Sequence, residues 1–287
     1  MADRVRPGRL SEATTTTVLS PEWGPSEIAD DDIRLLCELR GNSREDVVAR
    51  LASYDPDEMA RAWRAAAPAT PSDVLAFYAE TDLYLYEQLV WHGSSHYVPY
   101  LRRLEWLAEL WPPGVHPRAL DFGGGIGTTA IRLAEFGYRV SLAEVPGPTL
   151  DFARARLERR GLEAEIVPVT GTRPRLAGGA WHVLVYYDVV EHLAEPESWT
   201  RGLLRALPSG GGAAIIAGFT EQHDRYPHHL AVGEERLGGY RWDAFLRGLG
   251  LREVRNGLYL KRPAPVRAWA RVRYLLWRAL EGARRAR

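Results

Sequence analysis

The run Ala119-Leu120-Asp121-Phe122-Gly123-Gly124-Gly125-Ile126-Gly127 constrains this chain more than any other segment. A short apolar stretch carrying an acid passes into a glycine-rich turn, and a helical pattern opens at Thr128. Glycines in such a turn adopt positive φ without strain and let the backbone approach a ligand closely. A strand–turn–helix unit puts the turn at the carboxyl edge of a parallel sheet, where ligands of α/β proteins bind. Spacing then narrows the choice of ligand. A dinucleotide fingerprint needs Gly-x-Gly-x-x-Gly, and counting from Gly123 and Gly125 puts Thr128 in the third glycine's place. The pattern present is Asp-x-Gly-x-Gly-x-Gly. Its plain alternative is a tight turn with no ligand.

The surrounding residues predict the fold class. Strands are expected over 119–122, 139–144, 165–169, 182–186 and 213–219, and helices over 128–136, 149–160 and 197–207. Such alternation implies a parallel sheet with helices on both faces. Asn256-Gly257 between 251–255 and 258–262 is a strong hairpin signal, so one antiparallel strand should close the sheet. The expected fold is α/β: a Rossmann-like, doubly wound, mostly parallel seven-stranded sheet with an antiparallel last strand, plus an N-terminal helical region. Residues 1–29 lack periodicity and read as a flexible arm, 30–115 as a helical cap and substrate region, 116–262 as the Rossmann-like domain. Within 30–115, helix starts are marked by Asp30-Asp31-Asp32, by Ser43 with Asp46, and by Thr70-Pro71-Ser72-Asp73. Gly41 and Pro112 mark stops.

Composition excludes several classes. The formal net charge of 287 residues is zero, so no nucleic-acid partner is expected. Cys37 is the single cysteine, which rules out an internal disulfide or a multi-cysteine zinc site. The first 20 residues are polar and show no signal peptide, and no run approaches the roughly 18 apolar residues of a membrane span. A cytoplasmic location follows as an expectation. Arginines crowd the end of the chain, and 263–287 reads as a basic amphipathic C-terminal helix with Trp269, Val272, Leu276 and Ala279 on one stripe. Such a helix docks on its own domain, on the twin subunit of a homodimer, or on an anionic membrane.

Two further segments bear on the ligand. Glu144 ends the next strand, where an acid accepts hydrogen bonds from both hydroxyls of a ribose. After the fourth strand comes Tyr187-Asp188-Val189-Val190-Glu191-His192-Leu193. Together with the glycine turn these residues resemble class I S-adenosylmethionine-dependent methyltransferases, and the segment after the fourth strand is similar to that of their ubiquinone-biosynthesis-like, type 11 group. The resemblance covers about 118–219 and the closing hairpin; the helices before Pro112 lie outside it. It implies S-adenosyl-L-methionine as cofactor, held by Asp121, Gly123, Gly124, Gly125, Gly127, Glu144, Val145, Thr170 and Asp188. Asp121, Gly123 and Gly125 would border its methionine part, Glu144 its ribose, and Asp188 the transferring methyl. Many relatives carry an acid after the third strand where this chain reads Thr170-Gly171-Thr172, so a backbone amide or a threonine hydroxyl would meet the adenine.

Methyl transfer from a sulfonium is an in-line displacement, and holding the acceptor aligned is the main task. A base is needed only for a protonated acceptor. Glu191 and His192 are the nearest candidates, the alternative being that they cap and orient their segment. Substrate contacts are expected from Tyr84, His92 and Tyr97, in an aromatic-rich stretch, and from His228 in Tyr226-Pro227-His228-His229-Leu230. Helix packing and ordinary loop chemistry account for the same residues. Whether a metal is used stays open: Asp188, Glu191 and His192 are similar to the acid-x-x-Glu-His part of metal-dependent small-RNA 2′-O-methyltransferases, with His228 or His229 completing such a site. The expected function is methyl transfer to a small organic acceptor, at oxygen by the resemblance. Competing classes are a methyltransferase-fold binding or scaffold protein without catalysis and an NAD(P)-linked oxidoreductase.

Overall fold

The structure, a computed structural model, describes residues 14–173, 175–209, 211–217, 224–230 and 239–261. Its first elements correct the expectation of a loose arm up to residue 29. Strands β1 (Thr15–Ser20) and β2 (Gly24–Ala29) pair antiparallel, from Thr15 opposite Ala29 to Ser20 opposite Gly24. The threonine run is polar yet β-branched, which suits a half-buried pleat. Val18 and Ile28 point inward, while the Thr15 and Thr17 hydroxyls donate to the Glu27 carboxylate at 2.8 and 2.7 Å. Period-2 burial over only six residues per strand is what hid the hairpin.

Six helices follow: α1 (Asp30–Arg40), α2 (Arg44–Ala52), α3 (Pro56–Ala66), α4 (Pro71–Glu80), α5 (Leu83–Gly93) and α6 (Val98–Leu110). Their starts obey local chemistry. The Asp46 amide donates to Ser43 Oγ at 3.1 Å, and Thr70 with Asp73 forms a reciprocal capping box. Gly41 ends α1 in the left-handed conformation at φ +68°.

The main sheet comprises β3 (Arg118–Phe122), β4 (Arg139–Glu144), β5 (Ala164–Pro168), β6 (Val183–Tyr187), β7 (Gly212–Ala217), β8 (Leu251–Arg255) and β9 (Leu258–Lys261). Helices α7 (Thr128–Glu135), α8 (Pro148–Arg159), α9 (Pro196–Arg205) and α10 (Gly239–Gly248) join them. Strand order is β5-β4-β3-β6-β7-β9-β8, parallel throughout except that β9 runs antiparallel to both neighbours. Asn256 and Gly257 turn the last hairpin with φ +33° and +77°, the two positive values a tight hairpin of this kind requires. Several strands differ from expectation by a residue or two at an end. Phe219, Arg262 and the expected helix 263–287 lie outside the described residues.

Side chains alternate through the sheet. Ala119, Val183, Val185, Tyr187 and Ile215 pack toward α6, α7 and α8, while Leu120, Phe122, Leu184 and Tyr186 pack toward α9. A third cluster joins Val18, Ile28, Ile33, Leu36, Leu85 and Leu89 to Phe152 of α8 and to Ile126 beside the glycine turn. The N-terminal elements are thus packed directly over the carboxyl edge of the sheet. There the strand order reverses between β3 and β6, and the two strands splay their connections to opposite faces, opening a crevice.

Candidate active site

The glycine turn leaves β3 into that crevice. Gly123, Gly125 and Gly127 have φ of +66°, +54° and +76°. The Gly123 amide donates to the Ala143 carbonyl at 2.8 Å, tying the turn to β4. Crowding adds to the conformational demand, since a Cβ on Gly123 would lie 2.4 Å from Val189 Cγ2. Glu144, at the end of β4, accepts the Gly125 and Val145 amides, one on each carboxylate oxygen, both at 2.7 Å. A carboxylate has about four acceptor positions, so this one is fixed in place with capacity left for two hydroxyls. Burial raises its pKa and the two amides pull it back.

Asp121 lies beneath the turn, 2% exposed. Its Oδ2 has no hydrogen-bond partner among the described residues. Burial, with the Glu144 charge second, pushes its carboxyl up to about 8. Leaving such a group buried and unpaired costs free energy that a ligand can offset. The positively charged sulfur and amino group of S-adenosylmethionine fit an acid-lined, glycine-floored cradle of this kind.

Two cavities flank Gly123. One, of ≈ 810 Å³, is lined by Phe122, Glu144, Val145, Val169, Leu193 and Trp199. The other, of ≈ 1000 Å³, is roofed by Trp23, Glu87 and Trp91 and reaches Asp121, Glu191 and His229. They share Tyr84, Gln88, Gly123, Asp188 and His192, so the two chambers meet at the end of β6. Asp188 sits at that junction with φ +48°, a strained backbone for a residue other than glycine. It accepts the Tyr100 hydroxyl at 3.1 Å, and burial pushes its carboxyl up to about 7.

Of the other expected residues, Glu191 and His192 lie on a short 3-10 turn, Val190–His192. His192 Nδ1 is 3.0 Å from the Tyr78 hydroxyl; burial, followed by the neighbouring His229 and His228, holds the imidazole well below its usual pKa. Tyr84, Tyr97 and His228 line the second chamber. His92 lines it too, but its Nδ1 is 2.8 Å from Thr128 Oγ1 and burial drops its pKa to about 3, so it acts as a neutral tie between α5 and α7. Gly127 stands at the N-cap of α7 and lines neither chamber. Thr170 faces an adjoining groove, lined also by Val145, Val169 and Gly171.

Sequence reasoning named Tyr84 and His92 of α5 but missed Gln88 and Glu87 beside them. Gln88 Oε1 accepts the Ile126 amide at 2.9 Å and would stand 2.1 Å from a Cβ on Gly125, so α5 rests directly on the glycine turn. Its neighbour Glu87 is pushed up to about 7 by burial, and its Oε2 has no partner among the described residues. A Glu-Gln pair within the otherwise apolar and aromatic Leu83–Gly93 was the available signal.

In strand order, glycine turn and the acids at the ends of β3, β4 and β6, residues 118–261 are similar to class I S-adenosylmethionine-dependent methyltransferase domains. Residues 120–215 match the family described as Methyltransferase domain. Among curated proteins, the tRNA 5-carboxymethoxyuridine methyltransferase of Escherichia coli (strain K12) is 28% identical over 44% of this chain and 48% of its own length. The ubiquinone biosynthesis O-methyltransferase of Ruegeria sp. (strain TM1040) is 34% identical over 33% of this chain and 38% of its own. The chain therefore spans half or less of the length of these relatives. A SAM dependent methyltransferase from Aquifex aeolicus, of known structure, aligns with 57% of this chain and 97% of that one at 18% identity and a TM-score of 0.42. Among the described residues no helix is long and apolar enough to cross a membrane.

Proposed function

We propose that this protein transfers a methyl group from S-adenosylmethionine to an oxygen of a small, uncharged or cationic organic acceptor. The observation that carries the reading is the pair of chambers meeting at Gly123, Asp188 and His192. Two ligands held in adjoining chambers are positioned for direct displacement. When bound, the cofactor supplies an electrophilic methyl on a positively charged sulfur that departs as a neutral thioether. Glu144 would hold its ribose, with Val145 and Trp199 along the same wall.

The second chamber is shared in this reading: the cofactor's methionine end lies against Asp121 and the glycine turn, and the acceptor takes the side lined by Tyr84, Glu87, His192 and His228. The chamber is lined by Glu87, Asp121, Asp188 and Glu191, with no lysine or arginine among the described lining residues. A carboxylate or phosphate acceptor would be buried there without a lysine or arginine counter-ion, and an unpaired buried charge costs several kcal/mol. That lining argues against an RNA or carboxylate substrate. Glu191 and His192 are the proton acceptors expected from sequence, and Glu87 joins them. Its pKa near 7 suits proton transfer at neutral pH better than the depressed His192 does.

Calorimetric titration with S-adenosylhomocysteine, run beside NADH, tests the cofactor half. Micromolar binding of the former alone is expected; binding of NADH instead would overturn the reading. Phenols, alcohols and amines are then screened for cofactor turnover beside carboxylic acids, which should be inert. Tight cofactor binding with no turnover on any neutral or cationic acceptor would favour a binding protein. Glu144→Ala should weaken S-adenosylhomocysteine by about 1.5–3 kcal/mol, the range for losing hydrogen bonds to a charged group. Unchanged affinity would remove Glu144 from the ribose site.

A further inference from the structure

The second chamber contains a histidine cluster that methyl transfer as described does not use. One ring nitrogen from each of His192, His228 and His229 can be chosen so that all three lie within 4.8 Å of one another. His228 and His229 are buried, at 2% and 7% exposure. The loop carrying them is fastened beside His192 by the Leu230 amide, which donates to the Glu191 carbonyl at 2.7 Å. The His192 and His228 rings stack nearly parallel, 5° apart, and Tyr226 stacks on His229.

We propose that His192, His228 and His229 hold a divalent transition-metal ion of the zinc type on the acceptor's side of the second chamber. Three histidines with the remaining position open to water or substrate is a recurrent catalytic zinc arrangement, with zinc–nitrogen distances of about 2.0–2.1 Å. Nitrogens around a tetrahedral ion are then about 3.3 Å apart, so the widest pair closes by some ångström and a half, within reach of χ1 and χ2 rotations. Tyr78 already stands where an orienting partner belongs. Its hydroxyl meets His192 Nδ1, leaving Nε2 for an ion. The His192 ring also bonds the His228 carbonyl, a contact the ion would replace.

The chamber has no lysine or arginine to repel a cation among the described residues, and Glu87, which lines it, has an Oε2 without a hydrogen-bond partner among them. Imidazole ligands favour zinc, copper, iron or nickel over magnesium or calcium. Resting on the methyl-transfer reading, the ion's role is that of a Lewis acid. An acceptor hydroxyl bound to it loses its proton near neutral pH, that proton passing to Glu87 or water, and the oxygen becomes the nucleophile that displaces the thioether.

The test is metal binding, scored apart from turnover. The EDTA-treated full chain is titrated with Co²⁺, followed by its visible d–d absorption, and Zn²⁺ is then added in competition. One Co²⁺ per chain is expected, displaced by one Zn²⁺. Tyr78→Phe should weaken binding about 10–100-fold, and the double variant His228→Ala/His229→Ala should abolish it. S-adenosylhomocysteine binding, which the proposal does not route through these histidines, reports folding in each variant. Absence of a Co²⁺ spectrum in wild type that binds S-adenosylhomocysteine overturns the metal site alone. Equal metal affinity in the folded double variant overturns it as well. Metal binding without any S-adenosylhomocysteine binding would instead overturn the methyltransferase reading and leave the ion in place.

Discussion

Asp32→Ala is expected to destabilise the fold by about 3–5 kcal/mol, the cost of removing one partner of a buried ion pair. Asp32 and Arg156 have side-chain exposures of 5% and 8% and pair bidentately, at 3.0 and 2.9 Å, while Arg160 reaches the same carboxylate at 2.8 Å. Without Asp32 the Arg156 guanidinium stays buried beside the Ile126 carbonyl and Thr128 Oγ1, which it already bonds at 2.6 and 3.0 Å, with no carboxylate to balance it. Urea unfolding monitored by circular dichroism measures the change. A loss below about 1 kcal/mol would place the pair among those that hardly matter. The pH dependence has a definite sign. Burial raises the Asp32 pKa, but the charges and hydrogen bonds of Arg156 and Arg160 outweigh it and hold the group below its ordinary value. The contribution is therefore present above the ordinary aspartate pKa and is lost as pH falls through the depressed one. In Asp32→Ala this part of the acid destabilisation should be missing.

Gly123→Arg should abolish cofactor binding while leaving a folded protein. Its φ of +66° suits glycine, and the first side-chain atom would already overlap Val189. A longer chain has to fill the junction of the two chambers. A fall in S-adenosylhomocysteine affinity of more than about a hundredfold is expected, roughly 2.7 kcal/mol, read by calorimetry beside a circular dichroism spectrum. A folded variant with wild-type affinity would mean that the glycine turn is not the cofactor's cradle.

These two positions differ in how legible they were. Gly123 announces itself through spacing. A strand, an acid and glycines at alternate positions are local features with a local physical reason, and Glu144 follows from the next strand's length. The seven-stranded sheet and its antiparallel closure were readable on the same grounds, through short strand-like runs alternating with helical ones and through Asn256-Gly257. Asp32 and Arg156 stand 124 residues apart, and no periodicity links an acid in the first turn of one helix to an arginine in another. Gln88 and Glu87 escaped for a related reason: their partners Ile126 and Tyr54 are tertiary neighbours. The β1–β2 hairpin was hidden by composition, because threonine and glutamate line a strand as readily as they line a loop. In the second chamber, sequence joined His192 to His228 or His229 only through a resemblance that also enlisted Asp188 and Glu191, and it did not bring all three histidines together.

The layout of the N-terminal elements has a consequence for how such proteins diversify. A specificity cap joined to a cofactor domain by a simple linker can be exchanged like a tool on a handle. Here the seam near residue 115 crosses from Asp32 to Arg156, from Gln88 to Ile126 and from His92 to Thr128. Each of those three bonds ends at the glycine turn or on a helix beside it. A replacement N-terminal half that lacked these three side chains would leave the turn unsupported. The two halves are thereby constrained to change together.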